Sequence, residues 1–410
     1  MPQLPMVRWV ALFWGFVAFF PIGLNYTAFV LLAVAMVWQG DRAERLARLR
    51  QAPQWWPAWA LVGWSTLILL LGPHYAETPS NALHALRIVL TLALALALTR
   101  DEALWALRGV LLGLAVGLLL VALHGLVPLP PHPLWDSLVR YDGNKSLANA
   151  VQMAMVAAGS LLLLPALGRR GQVLAALLAA AVMLVLIWVL HSRTAWLVLV
   201  LGLALGLWHR LRGRRRPQLA ALATAALLTL AAGLLLPGVK QRLQQGAGEL
   251  VSAYQGQTVE MDSSWGIRYR MYRETTAMIA ERPLLGWGIG GWNTQWRQRV
   301  NGPLTDVNMP HNDLLWMGAQ TGVPGALLLL WLLLAGWPAA WRRDDLNGSL
   351  AALALLAMLL AVLGNSALRD ASMGLSLWFV VLVIQRLAHQ PQPLWQGLWP
   401  AGAVAPQAGR

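Results

Sequence analysis

The chain has 410 residues, of which 58% are hydrophobic and only 12% charged, with a mean hydropathy of +0.55. A soluble domain carries about 25% charged residues, so a soluble multi-domain protein is excluded and an all-α polytopic membrane protein is expected. Cysteine is absent, which removes disulfides, thiolate metal sites and cysteine nucleophiles, and the net charge of +14 in so apolar a chain reads as topogenic arginine rather than a nucleic-acid surface.

Runs of roughly 17 to 25 apolar residues read as membrane spans. Twelve are expected, at residues 7–21, 24–39, 57–73, 81–99, 104–126, 147–166, 172–190, 194–209, 218–236, 323–341, 349–364 and 371–388. The first lacks a small-residue cleavage site and reads as a signal anchor. Arginines fill alternate loops: Arg42, Arg45, Arg48 and Arg50; Arg100; Arg169 and Arg170; Arg210, Arg212, Arg214, Arg215 and Arg216; Arg342 and Arg343. Positive loops mark the cytoplasmic side, so both termini are expected there. The opposite loops, such as "LGPHYAETPSN" at 71–81, are nearly free of basic residues.

The expected organisation is spans one to nine (1–236), a long polar loop on the non-cytoplasmic side (237–322), spans ten to twelve (323–390) and a cytoplasmic tail (391–410). In a bacterium that side is the periplasm or cell exterior, where ATP and nucleotide sugars are not expected. Chemistry there needs a substrate that arrives already activated.

In chain order, the first polar residues of note are His84 and Arg87 in span four, which either line a cavity or, for Arg87, snorkel to the interface. "HSRTAW" at 191–196 puts Arg193 on the outer side, against the charge rule. Such an arginine is a headgroup contact or a site residue.

In "SSWGIRYRMYRETTAMIAERPLLGWGIGGW" (263–292), Ile267 to Glu281 reads as a surface helix. Arg268, Tyr272, Thr275 and Ile279 share one face, Arg270, Arg273 and Glu274 spread round the rest, and Pro283 ends the helix. Gly286, Gly288, Gly290 and Gly291 then form a turn of little bulk: a flexible hinge or, at Gly288, a substrate contact. No strand precedes them, so they are not a dinucleotide fingerprint.

In "NMPHNDLLWMGAQTG" (308–322), Pro310 precedes a helix start, Asn312 or Asp313 satisfies first-turn amides, and Gly322 is placed as a stop. His311 then sits at a helix N-terminus, where the dipole favours its neutral form, the form a general base needs. The alternative is a capping or packing histidine. No HExxH and no G-x-S-x-G occur, and neither a metal nor a cofactor is expected. Several arginines around one neutral histidine suit glycosyl transfer from a lipid pyrophosphate, because arginine binds phosphate oxygens in bidentate fashion and stays charged.

The order of a span-end arginine, then "R…Y…P-L-L-G-W-G-I-G", then "P-H-N-D-L-L…G-V-P-G" around one large loop resembles the O-antigen ligase and O-antigen polymerase superfamily. The resemblance covers about residues 190–325. It implies a fold similar to C-type glycosyltransferases and activity without a metal. It also implies that His311 is the catalytic histidine followed by the expected Asn312, that Arg193 is the span-end arginine, and that Arg268 holds the pyrophosphate with Arg270 as its close rival. Asp370 in "NSALRDASMG" is the candidate for a recurring acidic residue of the last outer loop. Tyr272 stands where the family often has Trp.

The single large loop resembles ligases. The expected activity is therefore transfer of O-antigen glycan from undecaprenyl pyrophosphate to a sugar hydroxyl of lipid A-core, with inversion. Its partners are two lipid-linked substrates and membrane lipid, without nucleic acid. The alternatives are a polymerase of the same superfamily and, from a different class, a transporter of lipid-linked glycan.

Overall fold

A computed structural model describes residues 6–141, 143–220 and 264–394, with isolated positions 223, 244, 248 and 398. Its described elements are all helical: α1 (Met6–Val17), α2 (Ile22–Gln39), α3 (Arg42–Arg50), α4 (Trp55–Leu71), α5 (Thr78–Ala97), α6 (Arg100–Leu126), α7 (Asp136–Val139), α8 (Gly143–Leu163), α9 (Arg169–Trp188) and α10 (Arg193–Arg210). There follow α11 (Ser264–Glu281), α12 (Gly291–Arg299), α13 (Asp313–Leu334), α14 (Trp337–Arg342), α15 (Leu346–Asn365), α16 (Ala371–Gly374) and α17 (Leu377–Ala388).

Among the described residues, eight stretches are long and apolar enough to cross a membrane, and α1 and α4 are shorter apolar helices. The expected span at 218–236 lies almost wholly outside the described residues, as does the start of the large loop. Two expected spans are interrupted. The first stops at Val17, four residues early, and Pro21 precedes the next helix. The last is split into α16 and α17.

The helices pack through small residues, as helices in lipid do when no solvent drives them together. A methyl group on Gly15 would strike Ala106 O, and one on Gly109 would strike Leu12 O, so α1 and α6 lie backbone to backbone. Helices α8, α15 and α17 are enclosed by the others. By contrast, α2 and α9 turn Val30, Val34, Val37, Leu177, Leu184 and Trp188 outward. An apolar residue exposed on such a helix faces lipid, where it costs nothing.

The loops gather into two sets. In one, Arg100 donates to Pro393 O, Arg386 to Leu98 O, Asn347 to Gln392 O and Arg212 to Arg343 O. This set holds the arginine-rich loops at 42–50, 100, 210–216 and 342–343, and Arg45 within it is buried in a two-pronged ion pair with Glu102 (2.7 and 2.9 Å). Arg45 therefore holds helix α3 against the bundle as well as supplying loop charge. In the other set, residues 73–78 meet 287–290, Asn144 meets Asp370 and Asn365 meets Thr194. The basic loops and the candidate site residues thus occupy opposite ends of the bundle.

Candidate functional site

Helix α11 forms where the spacing of Arg268, Tyr272, Thr275 and Ile279 predicts it, and Pro283 follows its end. Thr275 is fully buried and Tyr272 half-buried, while Arg273 is exposed, so the expected face is the inward one. Trp292 donates to Thr275 Oγ1 (2.9 Å), stacks on Trp296, and thereby fixes α12 against α11. Arg299 closes the same unit with a paired contact to Glu281 (2.6 Å to each oxygen).

The glycine run is a clasp, and the hinge reading is corrected. Gly286, Gly288 and Gly290 have φ of 66°, 87° and 90°. Trp287 and Gly288 donate their N–H groups to Ala319 O (2.8 Å) and Gln320 O (3.0 Å), and Gly290 donates to Gln320 Oε1 (2.6 Å). Tyr75 and Thr78 donate their hydroxyls to Trp287 O and Ile289 O from the other side. A Cβ on Gly288 would stand 2.8 Å from Pro73 O, which by itself requires glycine there. The clasp meets α13 where Gly322 (φ 74°) kinks it, so the expected stop is real but the helix resumes at once.

Asn312 caps α13: its Oδ1 accepts from the N–H groups of Leu314 (3.0 Å) and Leu315 (3.1 Å). His311 stands one residue before the cap in a left-handed conformation, φ 53°. Non-glycine residues rarely adopt that region, and they do so where surrounding contacts impose it. Here the Tyr272 hydroxyl donates between Leu363 O (3.0 Å) and His311 O (3.3 Å), and Asn312 Nδ2 donates to Leu363 O (3.2 Å).

Burial, and then the positive charge of Arg268, lower the His311 pKa from 6.5 to about 4. The neutral form is favoured as expected, but desolvation and Arg268 cause it, where the sequence pointed to the helix dipole. Arg268 Nη2 donates to Asn365 Oδ1 (3.4 Å), and Asn365 Nδ2 to Thr194 Oγ1 (2.9 Å). Arg193, exposed, is the first residue of α10 behind the Ser192 cap and adjoins this chain of contacts. Thus Arg193, Arg268 and His311, far apart in sequence, come to one end of the bundle. Arg270 is half-buried and lies about 200° round α11 from Arg268.

The segment 366–370 completes the cluster. Asp313 is fully buried, and its two oxygens accept the N–H groups of Leu368 (2.8 Å) and Arg369 (2.9 Å). Arg87 Nη2 donates to the carbonyls of the same two residues (2.9 and 2.7 Å), and Nη1 reaches Tyr26 Oη (3.1 Å) and His84 Nδ1 (3.0 Å). Arg87 is buried and does not snorkel; four of its five N–H groups point at protein acceptors. Asp370 Oδ1 caps α16 and its Oδ2 accepts from Asn144 (2.8 Å).

Sequence reading missed Asn365, Thr194, Asn144 and Arg369 as members of this cluster. Only Arg369 carried a signal, its place beside Asp370. Among the described residues, no three His, Asp or Glu side chains gather, and none is assigned as a metal site.

Residues 178–330 match the family model described as O-antigen ligase. The matched stretch contains Arg193, Arg268 and His311 and stops short of Asp370. No curated protein matches the chain.

Proposed function

We propose that this chain, whose residues 178–330 match the family model described as O-antigen ligase, is a membrane glycosyltransferase of the ligase type in the O-antigen ligase and polymerase superfamily. It takes glycan from undecaprenyl pyrophosphate and attaches it to a sugar hydroxyl of lipid A-core, on the periplasmic face of a twelve-span inner-membrane protein with both termini inside. The observation that carries this reading is a neutral, half-buried His311 within charge reach of Arg268, at the end of the bundle away from the basic loops.

The chemistry follows from those groups. Arg268 and Arg193 hold the donor's diphosphate, with Arg270, Asn312, Asp370, Arg87 and Gly288 around it as substrate contacts or their supports. The acceptor hydroxyl gives its proton to His311 as its oxygen bonds to the anomeric carbon. The bond from that carbon to the phosphate oxygen breaks, and undecaprenyl pyrophosphate leaves with the electron pair. In-line displacement inverts the anomeric centre. Two guanidinium groups stabilise the charge that grows on the leaving diphosphate, so the reading requires no metal.

A base with a pKa of about 4 is weak. Donor binding remedies this, because a diphosphate on Arg268 offsets the charge that lowers the histidine. The test is a reaction of purified protein with lipid-pyrophosphate glycan and lipid A-core, in EDTA and without nucleotide. Ligated product supports the ligase; a longer donor glycan with lipid A-core untouched replaces it with a polymerase; no reaction, with movement of the donor across vesicles, replaces both with a transporter.

A further inference from the structure

We propose that Arg369 is a third anion-binding side chain of this site, taking a phosphate oxygen of one of the two lipid-linked substrates. The proposal rests on the glycosyltransferase reading above for its substrates, and on the following geometry for its residue.

The backbone of Arg369 is held at both its polar atoms, the N–H by Asp313 (2.9 Å) and the C=O by Arg87 (2.7 Å). Its side chain is held far less. Nη1 makes one long contact with Asn308 Oδ1 (3.5 Å), and Nε is buried with no acceptor among the described residues. The acids nearby are committed elsewhere: both Asp313 oxygens to backbone N–H groups, and both Asp370 oxygens to the α16 cap and Asn144. No carboxylate among the described residues forms an ion pair with Arg369.

A half-buried guanidinium with an orphan donor is costly unless an anion satisfies it. Its location indicates which anion. Asn308 lies three residues before His311, and the charge of Arg369, like that of Arg268, disfavours protonated His311. The histidine therefore lies within charge reach of two cations and of Asp370, and each cation has donors to spare for phosphate oxygens. A rigid backbone carrying a poorly satisfied head suits a binding residue, since little order is lost when the ligand arrives.

The experiment uses the full-length protein in lipid nanodiscs, with Arg369→Ala and Arg369→Lys. Donor and acceptor are varied separately, and binding of inorganic pyrophosphate is measured by calorimetry with Arg268→Gln as the reference. Removing one charge-assisted hydrogen bond weakens an interaction roughly 10- to 100-fold. We expect Arg369→Ala to raise KM by that factor for one substrate, with Lys recovering part and the melting temperature unchanged. A rise for the donor, together with weaker pyrophosphate binding, assigns the anion to the diphosphate. A rise for the acceptor alone assigns it to a phosphate there.

Unchanged KM for both substrates and unchanged pyrophosphate binding overturn the proposal while glycan transfer by wild type keeps the functional reading. A fall in melting temperature with no recovery by Lys also overturns it, as the mark of a structural arginine. If wild type binds pyrophosphate through Arg369 yet transfers no glycan, the functional reading falls and the anion site stands.

Discussion

Asp313 and Arg87 grip the same two residues, Asp313 by the N–H groups of Leu368 and Arg369 and Arg87 by their carbonyls. One residue begins the helix that follows His311; the other comes from α5. The segment bearing Asp370 is thereby fixed relative to the histidine.

Asp313→Asn keeps one acceptor oxygen and points an amide donor at a backbone N–H. A buried donor left unsatisfied costs about 1–3 kcal/mol, so a loss of that size is expected. Thermal unfolding in detergent measures it. A melting temperature equal to wild type would show that the grip contributes nothing.

His311→Ala is expected to lower the transfer rate by about 10²- to 10⁴-fold, the usual worth of a general base. Donor binding should survive. Product formation by membranes with matched protein levels is the measurement, and full transfer by the variant would remove His311 from the mechanism.

The pH dependence has a definite sign. His311 accepts a proton only when neutral, and its pKa in the free protein is about 4. Activity therefore rises with pH through that value. The acid limb of kcat/KM, which reports the free enzyme, should lie near pH 4. The limb of kcat should lie higher, because bound diphosphate offsets Arg268. In Arg268→Gln the kcat/KM limb should itself move up, as a positive neighbour is gone. Coincident limbs in wild type would remove donor assistance from the account.

Gly288→Ala places a methyl group against Pro73 O at a φ of 87°. A strained left-handed residue costs about 1–3 kcal/mol. We expect that loss, with faster proteolysis at the clasp. Gly63→Ala is the control: it meets nothing within 4 Å and sits inside α4, so it should be neutral or slightly stabilising.

At the opposite end, Arg45→Met leaves Glu102 buried without its partner. Breaking a buried pair from one side costs about 3–5 kcal/mol. The melting temperature should fall, while KM for both substrates in the surviving protein stays unchanged.

Much of the site was legible because its pieces are local. A cap at Asn312, a stop at Gly322 and the face shared by Arg268 and Tyr272 follow from helix geometry over a few residues. The cause of the His311 pKa was not legible, since burial depends on what packs over it. Nor was the rigidity of the glycine run, since a glycine permits both a hinge and a close approach, and only Pro73 and Gln320 decide between them.

The sequence by itself determined that the chain is a helical membrane protein, that its arginine-rich loops alternate, and that His311 stands at a helix start. Those properties rest on apolar run length, on charge order and on capping chemistry, all of which are read along the chain. Only the tertiary structure decided that Arg87 serves the 366–370 segment, that Thr194 and Arg268 share Asn365, and that Arg369, with a donor unsatisfied, comes within charge reach of His311. Each of those contacts joins residues from distant helices. Helix packing, which depends on the fit of many side chains at once, brings them together.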